Sequence, residues 1–324
     1  MIRTTVGVLR GGTSSEYNLS LKSGAAVLAA LPESRFETRD IFVDKKGYWH
    51  LRGMPVDAAR ALSQVDVVVN ALHGGVGEDG TVQRLLTRAG VPYAGSRPLG
   101  SNYALNKIRA QEILRAAGVR MPRAVAFSLD DTLTTGQMTA VVFKEFGPPY
   151  VVKPAYEGAS TGILVAQNLL DLPDAIGDVL DAFGTALVQE CIRGREATVG
   201  LIEHFRNEDL YALPPVHTEY PDQASMLLNK HHEEGTLRHH VPSNFSRSEK
   251  QALMDAARQA HRALGLSHFS RADFILTPRA PYLLEVNSIP GIYPGAAFPA
   301  MLESVGSSVG EYLEHAIDLA RNRQ

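Results

Sequence analysis

The segment Arg271-Ala272-Asp273-Phe274-Ile275-Leu276 is an apolar run with polar side chains at alternate positions. The segment Leu283-Leu284-Glu285-Val286-Asn287 repeats this pattern, and Thr277-Pro278-Arg279-Ala280-Pro281 separates the two runs. Two alternating runs joined by a short segment of turn residues are typical of a β-hairpin. We therefore predict that these residues form two antiparallel strands.

Four polar side chains are expected on one face of this hairpin. Side chains two apart on a strand share a face, so Asp273 lies beside Arg271, and Glu285 lies beside Asn287. A hairpin that is symmetric about Arg279 places Asp273 opposite Glu285, where two carboxylates repel unless a positive charge lies between them. Two carboxylates and an amide oxygen suit Mg²⁺ that also contacts nucleotide phosphates. The pattern indicates a Mg-ATP enzyme, with a solvated surface hairpin as the alternative.

Length and composition exclude several classes of function. The chain has 324 residues, of which 44% are hydrophobic, so two or three domains or one large domain with subdomains are expected. The net charge of −3 gives no basic surface for nucleic acid or for an anionic membrane, so the partner is expected to be a small molecule. No apolar run approaches the length of a membrane span. The single cysteine, Cys191, excludes an internal disulfide and fits a cytoplasmic location.

The first hundred residues alternate between strand-like and helix-like segments. Almost wholly apolar strands and amphipathic helices predict an α/β domain with a doubly wound parallel sheet over residues 1–99. In chain order the predicted elements are strand Thr4–Leu9, helix Leu19–Leu31, strand Arg39–Val43, strand Val65–Leu72 and helix Val82–Arg88.

The rest of the chain has a different organisation, and we expect α+β structure there. Two strands around a small-residue loop at 155–162 resemble a lid hairpin more than a strand–helix unit. The segment 213–244 shows no clear periodicity, which is typical of a functional or flexible loop. The predicted elements are helix Ala104–Ala117, strands Tyr150–Pro154 and Ile163–Ala166, helix Leu172–Phe183, strands Leu187–Ile192 and Glu196–Ile202, and helices Glu249–Leu264 and Val309–Arg321.

Two candidate substrate residues follow the first strands of the parallel sheet. Glu16 lies after the first glycine-rich turn, and His73 opens the second. Ligands of open α/β sheets bind at the carboxyl ends of the strands. Glu16 could hold an ammonium group there, and His73 could bind a carboxylate or transfer a proton. A structural histidine is the alternative for His73.

The small-residue loop and two lysines are candidates for phosphate binding. Gly158 and Ser160 lie in a loop whose backbone N–H groups could approach phosphate oxygens closely. Lys153 precedes this loop, and Lys107 lies on a predicted helix, so each could neutralise phosphate charge. An ordinary flexible turn and a solvated helix lysine are the alternatives.

A carboxylate between two later strands is a candidate for ribose binding. Gln189 and Glu190 end one strand, and Glu196 opens the next after a glycine turn. A carboxylate there could accept both ribose hydroxyls, and adjacent backbone could contact adenine. A surface hairpin with acidic tips is the alternative.

A group of histidines near the end of the irregular segment does not match a zinc template. Solvated loop histidines, or one histidine that touches substrate, fit the paired spacing better. These residues are His231, His232, His239 and His240.

Five motifs, in order, resemble those of the D-alanine–D-alanine ligase family of the ATP-grasp superfamily. The resemblance covers nearly the whole chain. The motifs are Gly11-Gly12-Thr13-Ser14-Ser15-Glu16 with Ser20-Leu21-Lys22-Ser23-Gly24, His73-Gly74-Gly75-Val76-Gly77-Glu78-Asp79-Gly80-Thr81-Val82-Gln83, Val152-Lys153-Pro154 with Glu157-Gly158, Arg271-Ala272-Asp273, and Leu284-Glu285-Val286-Asn287-Ser288-Ile289-Pro290-Gly291.

The resemblance implies an ATP-grasp fold of three domains, with ATP held between the second and third. The implied domains are residues 1–99, 100–186 and 187–324, the last with a closing loop at 213–244. Mg²⁺, or Mn²⁺ in its place, would be bound by Asp273, Glu285 and Asn287. The implied ATP-binding residues are Lys107, Lys153, Glu157, Gly158, Ala159, Ser160, Gln189, Glu190, Ile192 and Glu196.

The resemblance also implies the reaction. ATP would phosphorylate the carboxylate of one amino acid, and the amine of a second would attack the acyl phosphate. Arg271 and the backbone after Gly291 would stabilise the oxyanion. Glu16 would hold the ammonium group of the first amino acid, and His73 would lie near its carboxylate. The closing loop would exclude water, and a homodimer is expected because relatives are often dimers.

The chain departs from the family pattern at several positions. Ala159 stands where the family has a serine that hydrogen-bonds Glu16 and a tyrosine of the closing loop, and Tyr220 is the candidate for that tyrosine. Ala296-Ala297 replaces a serine-leucine pair beside the second substrate, and Gln189 replaces a frequent glutamate. ATP activation is therefore expected to be intact, whereas the loop contact and the acceptor pocket are altered.

Three functions remain open at this point. The first is D-alanyl-D-alanine synthesis for peptidoglycan, and the second is a related ligase that joins or cyclises other amino acids in specialised metabolism. The third is a non-catalytic nucleotide-binding regulator, which the complete metal set and both lysines disfavour. A Rossmann oxidoreductase does not fit, because the first turn lacks the Gly-x-Gly-x-x-Gly spacing.

Overall fold

The computed structural model describes residues 3–219 and 238–323. The strands of this part of the chain form three sheets, which we name the N-terminal, central and C-terminal sheets in chain order. Among the described helices, none combines the length and the apolar character that a membrane crossing needs. Tyr220, His231 and His232, and most of the predicted closing loop, lie outside the described residues.

The N-terminal sheet has a parallel core with an antiparallel edge. Its strand order is β4-β3-β2-β1-β5-β6, and β1, β2, β5 and β6 run parallel. The sequence did not predict β3 and β4, because strands of three residues are too short to show a periodicity. The strands are β1 Thr4–Gly11, β2 Phe36–Val43, β3 Trp49–Leu51, β4 Met54–Val56, β5 Val67–Asn70 and β6 Tyr93–Ala94.

Helices cover both faces of this sheet, which confirms the doubly wound prediction. Val6 and Val8 of β1 pack in one cluster with the first and last helices, and Leu9 packs on the opposite face with α2 and α3. The last helix therefore returns from the end of the chain to the first domain. The helices are α1 Tyr17–Ala30, α2 Ala58–Leu62, α3 Thr81–Arg88 and, at the end of the chain, α10 Val309–Asn322.

The central sheet is antiparallel, with strand order β7-β10-β8-β9. Two helices cover one of its faces through Met138, Val142, Ile176 and Val179. The β8–β9 connection is the predicted lid hairpin. The elements are β7 Ala124–Ser128, α6 Thr135–Glu145, β8 Tyr150–Lys153, β9 Leu164–Ala166, α7 Leu172–Phe183 and β10 Thr185–Glu190.

The C-terminal sheet carries the predicted metal hairpin. Its strand order is β14-β13-β11-β15-β16, and β12 pairs with β11. Because β13 and β14 pair, both ends of the segment predicted to be irregular are strands. The elements are β11 Arg195–Glu203, β12 Leu210–Ala212, β13 Val216–Glu219, β14 Arg238–His240, α8 Arg247–Ala263, β15 Phe269–Leu276, β16 Pro281–Asn287 and α9 Ala297–Ser304.

The predicted helix around Lys107 is two helices, α4 Pro98–Leu105 and α5 Lys107–Ala116. The single-helix prediction is wrong because Asn106 leaves the helical conformation and caps α5. Its side-chain oxygen accepts hydrogen bonds from the backbone N–H groups of residues 108 and 109 at 3.1 Å. Lys107 thus begins a helix instead of lying in the middle of one.

The sheets bear on where the central domain ends. β10 and β11 lie in different sheets, so the alternative of a surface hairpin at residues 187–202 is wrong. The predicted limit between residues 186 and 187 falls inside β10, which pairs with β7 and β8. Ala104 and Leu114, from α4 and α5, pack in the cluster of the C-terminal sheet. We propose that the central domain ends after Glu190.

We predict that the burial of Ile317 stabilises the packing of α10, at the end of the chain, against the N-terminal sheet. This side chain is fully buried in the cluster that includes the N-terminal sheet. Ile317→Ala should lower the free energy of unfolding in urea by about 2–5 kcal/mol, as expected for truncation of a core aliphatic side chain. Leu170→Ala, at a side chain that is 87% exposed, is the matched control. Equal effects of the two substitutions would contradict this role of α10.

Candidate active site

An open cleft lies where the three sheets converge. It brings together side chains from the turns after β1 and β5, the β8–β9 loop and the C-terminal sheet. The sequence-predicted residues that line the cleft are Glu16, His73, Lys153, Ala159, Ser160, Gln189, Glu190, Ile192, Glu196, Arg271, Asp273, Glu285, Asn287, Gly291, Ala296 and Ala297.

The β15–β16 hairpin has the predicted register. Asp273 lies opposite Glu285, and Arg271 lies opposite Asn287. An irregularity follows Asp273, so the pairing shifts by one residue toward the turn. On the neighbouring strand Thr198 lies beside Asp273 and donates a hydrogen bond to its Oδ1 at 2.9 Å. The hairpin therefore presents two opposed carboxylates on the face that lines the cleft.

Arg271 neutralises one of these carboxylates. Its Nη2 lies 2.8 Å from Asp273 Oδ2, and its Nε lies 3.2 Å from both carboxylate oxygens. Burial alone would lower the pKa of Arg271, but the negative charge of Asp273 outweighs this effect and raises the pKa above its ordinary value. The guanidinium therefore stays charged at the edge of the cleft.

Two lysines surround the other carboxylate. Lys107 Nζ lies 3.5 Å from Glu285 Oε2. Burial would raise the pKa of Glu285, but Lys107, Lys153 and Arg271 hold it well below its usual range. Burial and the positive charge of Lys107 lower the pKa of Lys153 to about 8. This end of the cleft is therefore a concentration of positive charge around one carboxylate, which suits a polyphosphate.

The hairpin offers a hard, all-oxygen set of donors to a cation. Asn287 Nδ2 donates a hydrogen bond to Asp273 Oδ2 at 3.0 Å, which leaves the amide oxygen as the ligand atom. Two carboxylates with an amide oxygen fit Mg²⁺ bound together with phosphates. Among the described residues there is no cluster of three or more His, Cys, Asp or Glu side chains that could hold a metal ion.

The lid hairpin closes one side of the cleft. Lys107 Nζ donates to the backbone oxygen of Glu157 at 2.5 Å, and Ser15 Oγ donates to the Glu157 carboxylate at 2.8 Å. Gly158 lies so close to Glu16 that a Cβ there would come within 2.1 Å of its carboxylate. Lys107, Glu157 and Gly158 thus fix the loop at the edge of the cleft.

The end of the cleft between the central and C-terminal sheets suits a nucleoside. Its apolar walls come from both sheets. The carboxylate of Glu190 pairs with Arg123, with Nε to Oε2 at 2.9 Å, so only its backbone is free for adenine. Burial and the negative charge of Asp273 raise the pKa of Glu196 to about 8. The wall residues are Val151, Ile163, Phe274 and Leu284.

The opposite end carries the carboxylate and histidine predicted after β1 and β5. Burial and the negative charge of Glu78 raise the pKa of Glu16 to about 8, so a cation is the complement that ionises it. Burial and the positive charge of Arg271 lower the pKa of His73 to about 4, and its Nε2 lies 2.7 Å from Ser23 Oγ. His73 is therefore neutral and can contact a substrate only as a hydrogen-bonding group.

Three cleft residues, Thr218, Tyr293 and Leu19, were not predicted from the sequence, whereas His239 belongs to the histidine group of which one was expected to touch substrate. Thr218 Oγ1 lies 3.1 Å from His239 Nδ1 across the β13–β14 pair, and both side chains line the cleft. Tyr293 and Leu19 line it near Glu16. Position along a strand could have indicated Thr218, because Glu196 and Thr198 mark the ligand-facing side of the sheet. Tyr293 follows an irregular turn, whose direction no periodicity reveals.

The fold and the cleft define a class of protein. A cleft between two antiparallel sheets, with carboxylates and basic side chains at its inner end, is the arrangement of an ATP-grasp carboxylate–amine ligase. Family models of the D-ala D-ala ligase C-terminus and N-terminus match residues 113–318 and 52–96, respectively. The chain belongs to the D-alanine–D-alanine ligase family, and it is an ATP-dependent, ADP-forming ligase.

The relatives cover nearly the whole chain. A D-alanine–D-alanine ligase of Geobacter sulfurreducens is 37% identical over 89% of this chain and 85% of its own length. That of Desulforudis audaxviator is 33% identical over 98% of this chain and 99% of its own. The structure of D-alanyl-alanine synthetase A from Vibrio cholerae superposes with a TM-score of 0.85 at 25% identity, covering 99% of both chains. These matches confirm the predicted family and the ATP-grasp fold.

We predict an alkaline loss of ATP binding that depends on Lys153. Its charged form is present below its pKa of about 8 and is lost above it. The kcat/KM for ATP reports the free enzyme, so it should fall about tenfold per pH unit above pH 8. Lys153→Arg should remove this limb, since arginine stays charged. The same limb in wild type and variant would contradict the assignment.

Proposed function

We propose that this ligase joins two molecules of D-alanine for peptidoglycan synthesis, with Mg²⁺ bound at the hairpin. The observation that supports this best is the position of Asp273 opposite Glu285, with Arg271 and Lys153 beside them, in the cleft that Glu16 also lines. One connected space thus offers groups for phosphates, for a reacting carboxylate and for an ammonium. The choice of D-alanine as the substrate is supported by the relatives, which are named D-alanine–D-alanine ligases.

The first step is transfer of the γ-phosphoryl group to the carboxylate of the first amino acid, with ADP as the leaving group. Lys107 and Lys153 neutralise the phosphates. Asp273, Glu285 and Asn287 would hold Mg²⁺, which supplies charge neutralisation for the phosphates when bound. Glu16 holds the ammonium group, and its ionisation is favoured by that contact because burial alone keeps its pKa high.

The second step is attack of the second amine on the acyl phosphate carbon. The amine loses a proton, the C–N bond forms, and phosphate leaves. The negative charge that develops on the acyl oxygen is stabilised by Arg271 and by the backbone after Gly291, and such preorganised donors are worth about 10²–10³ in rate. The lid contacts of Glu157 with Lys107 and Ser15 exclude water from the acyl phosphate.

A ligase with a different acceptor is the second candidate. Ala296 replaces a serine that the family resemblance places beside the second substrate, and it is buried in an apolar cluster. This favours an acceptor that is held by packing more than by a hydroxyl group. For either substrate we propose a cytoplasmic location, supported by the single cysteine and by ATP as substrate. We also propose that the enzyme is a homodimer.

The decisive experiment measures phosphate release from Mg-ATP with a panel of D- and L-amino acids, and records product masses. D-alanine alone should release phosphate and give the mass of alanylalanine. Release only with another amino acid or pair would contradict the D-alanine proposal in favour of the second candidate. No phosphate release with any amino acid of the panel would contradict catalytic turnover and favour a nucleotide-binding regulator.

We predict that Glu285→Gln disables the metal site. Loss of one fixed charge from such a site should lower kcat/KM for ATP by about 100-fold or more and raise the Mg²⁺ concentration needed for half-maximal rate. Glu112→Gln removes an exposed carboxylate of α5 that pairs with the neighbouring Arg109, and it should change neither value. An unchanged Mg²⁺ requirement in Glu285→Gln would refute the metal assignment.

A further inference from the structure

The lid loop is bonded at its entry to the start of α5. The backbone oxygen of Ala155 accepts a hydrogen bond from the Lys107 N–H at 2.9 Å, and that of Glu157 accepts one from Lys107 Nζ at 2.5 Å. Between them, the hydroxyl of Tyr156 accepts a hydrogen bond from Asn106 Nδ2 at 2.9 Å. The break between α4 and α5 therefore holds three successive residues of the loop.

The cap of α5 fixes the direction of the bond to Tyr156. The side-chain oxygen of Asn106 accepts hydrogen bonds from the backbone N–H groups of residues 108 and 109, each at 3.1 Å. Because that oxygen is engaged at the helix, the NH2 group of the same amide is the donor to the tyrosine hydroxyl. One side chain thus caps the helix that begins with Lys107 and also holds the lid loop.

The loop beyond Tyr156 has a backbone conformation that needs support. Ala159 and Ser160 have φ angles of 45° and 59°, in the left-handed region that residues with a Cβ rarely adopt. Such residues keep this conformation only where surrounding contacts impose it. Both of them line the cleft. The contacts at the entry of the loop therefore help to hold its cleft-facing backbone in place.

The hydroxyl is the part of Tyr156 that matters for the loop. Of the whole residue, 48% is exposed to solvent, so packing of the ring contributes little to the stability of the loop. The hydroxyl, in contrast, bonds to an amide of Asn106, which is only 9% exposed. A buried donor that loses its acceptor is costly, so this bond is worth more than one between two exposed groups.

We propose that Tyr156 is a positioning residue for ATP. The hydrogen bond between Asn106 Nδ2 and the Tyr156 hydroxyl, which we name the lid latch, keeps the loop closed over the nucleotide. Closure holds Lys107 and the backbone of Ala159 and Ser160 against the phosphates. This inference rests on the proposed function, which places the phosphates beside Lys107, and it adds a residue that acts on ATP without touching it.

The lid latch is tested by cleavage of the loop with a glutamate-specific protease in saturating Mg-ADP. Cleavage after Glu157 requires an open loop, so its rate follows the open fraction. Tyr156→Phe removes the hydroxyl and keeps the ring. It should speed this cleavage about fivefold, the scale of one lost hydrogen bond. Asn106→Ser should have the same effect, because serine still caps α5 but lacks the amide donor, and it leaves the sequence around Glu157 unchanged.

A double variant and a control separate the lid latch from general loosening of the protein. Both single substitutions remove the same bond, so the double variant should be cleaved no faster than either single variant. Tyr48→Phe is the matched control, because Tyr48 is 64% exposed in the connection between β2 and β3, and it should be cleaved at the wild-type rate. Cleavage of Tyr156→Phe at the wild-type rate, or multiplied effects in the double variant, would overturn the lid latch.

Steady-state kinetics give a second readout, with whichever amino acid releases phosphate in wild type. Tyr156→Phe should raise KM for ATP about fivefold, because the loop is closed in a smaller fraction of the molecules that ATP meets. The kcat and the KM for the amino acid should stay close to the wild-type values. A lower kcat with an unchanged KM for ATP would overturn the positioning role. If wild type does not use D-alanine, the D-alanine proposal fails separately, and cleavage after Glu157 still decides the lid latch.

Discussion

The pairing of Asp273 with Glu285 across one hairpin is the constraint on which the cleft depends. Opposed carboxylates on adjacent strands repel, so the register is stable only with compensating cations. Arg271 lies on the same face of its own strand, and Lys107 reaches Glu285 from the start of α5. Because Lys107 also contacts the backbone of Glu157, the same charge connects the hairpin to the lid. Lys107 therefore contributes both to the charge balance at the hairpin and to closure of the cleft.

Buried contacts hold the N-terminal sheet and its turns against this centre. Glu78 accepts hydrogen bonds from the backbone N–H of Gly74 at 3.0 Å and from Ser288 Oγ at 3.1 Å. This buried carboxylate therefore connects the second glycine turn to the end of the metal hairpin. Helix α10, packed on the first sheet, joins the same two domains from the other side. These contacts hold Glu16 and Arg271 in the walls of one cleft.

Local patterns predicted the parts of the molecule that repeat or alternate. The hairpin register follows from period-two alternation, and the doubly wound sheet follows from the order of strands and helices. The split at Asn106 and the partners of β10 escaped, because one capping residue and long-range pairing leave no periodic signal. Tyr293 escaped for a related reason: its position depends on how the turn after β16 meets the cleft. Burial also changed the expected chemistry of His73, which is neutral.

The central claim is that the hairpin face binds a magnesium nucleotide. A crystal structure of the protein with ADP and Mg²⁺ tests it most directly. We predict that the metal contacts Asp273, Glu285 and Asn287, and that the adenine lies between the central and C-terminal sheets near Gln189. Nucleotide bound outside this cleft, or a metal held by other side chains, would contradict it.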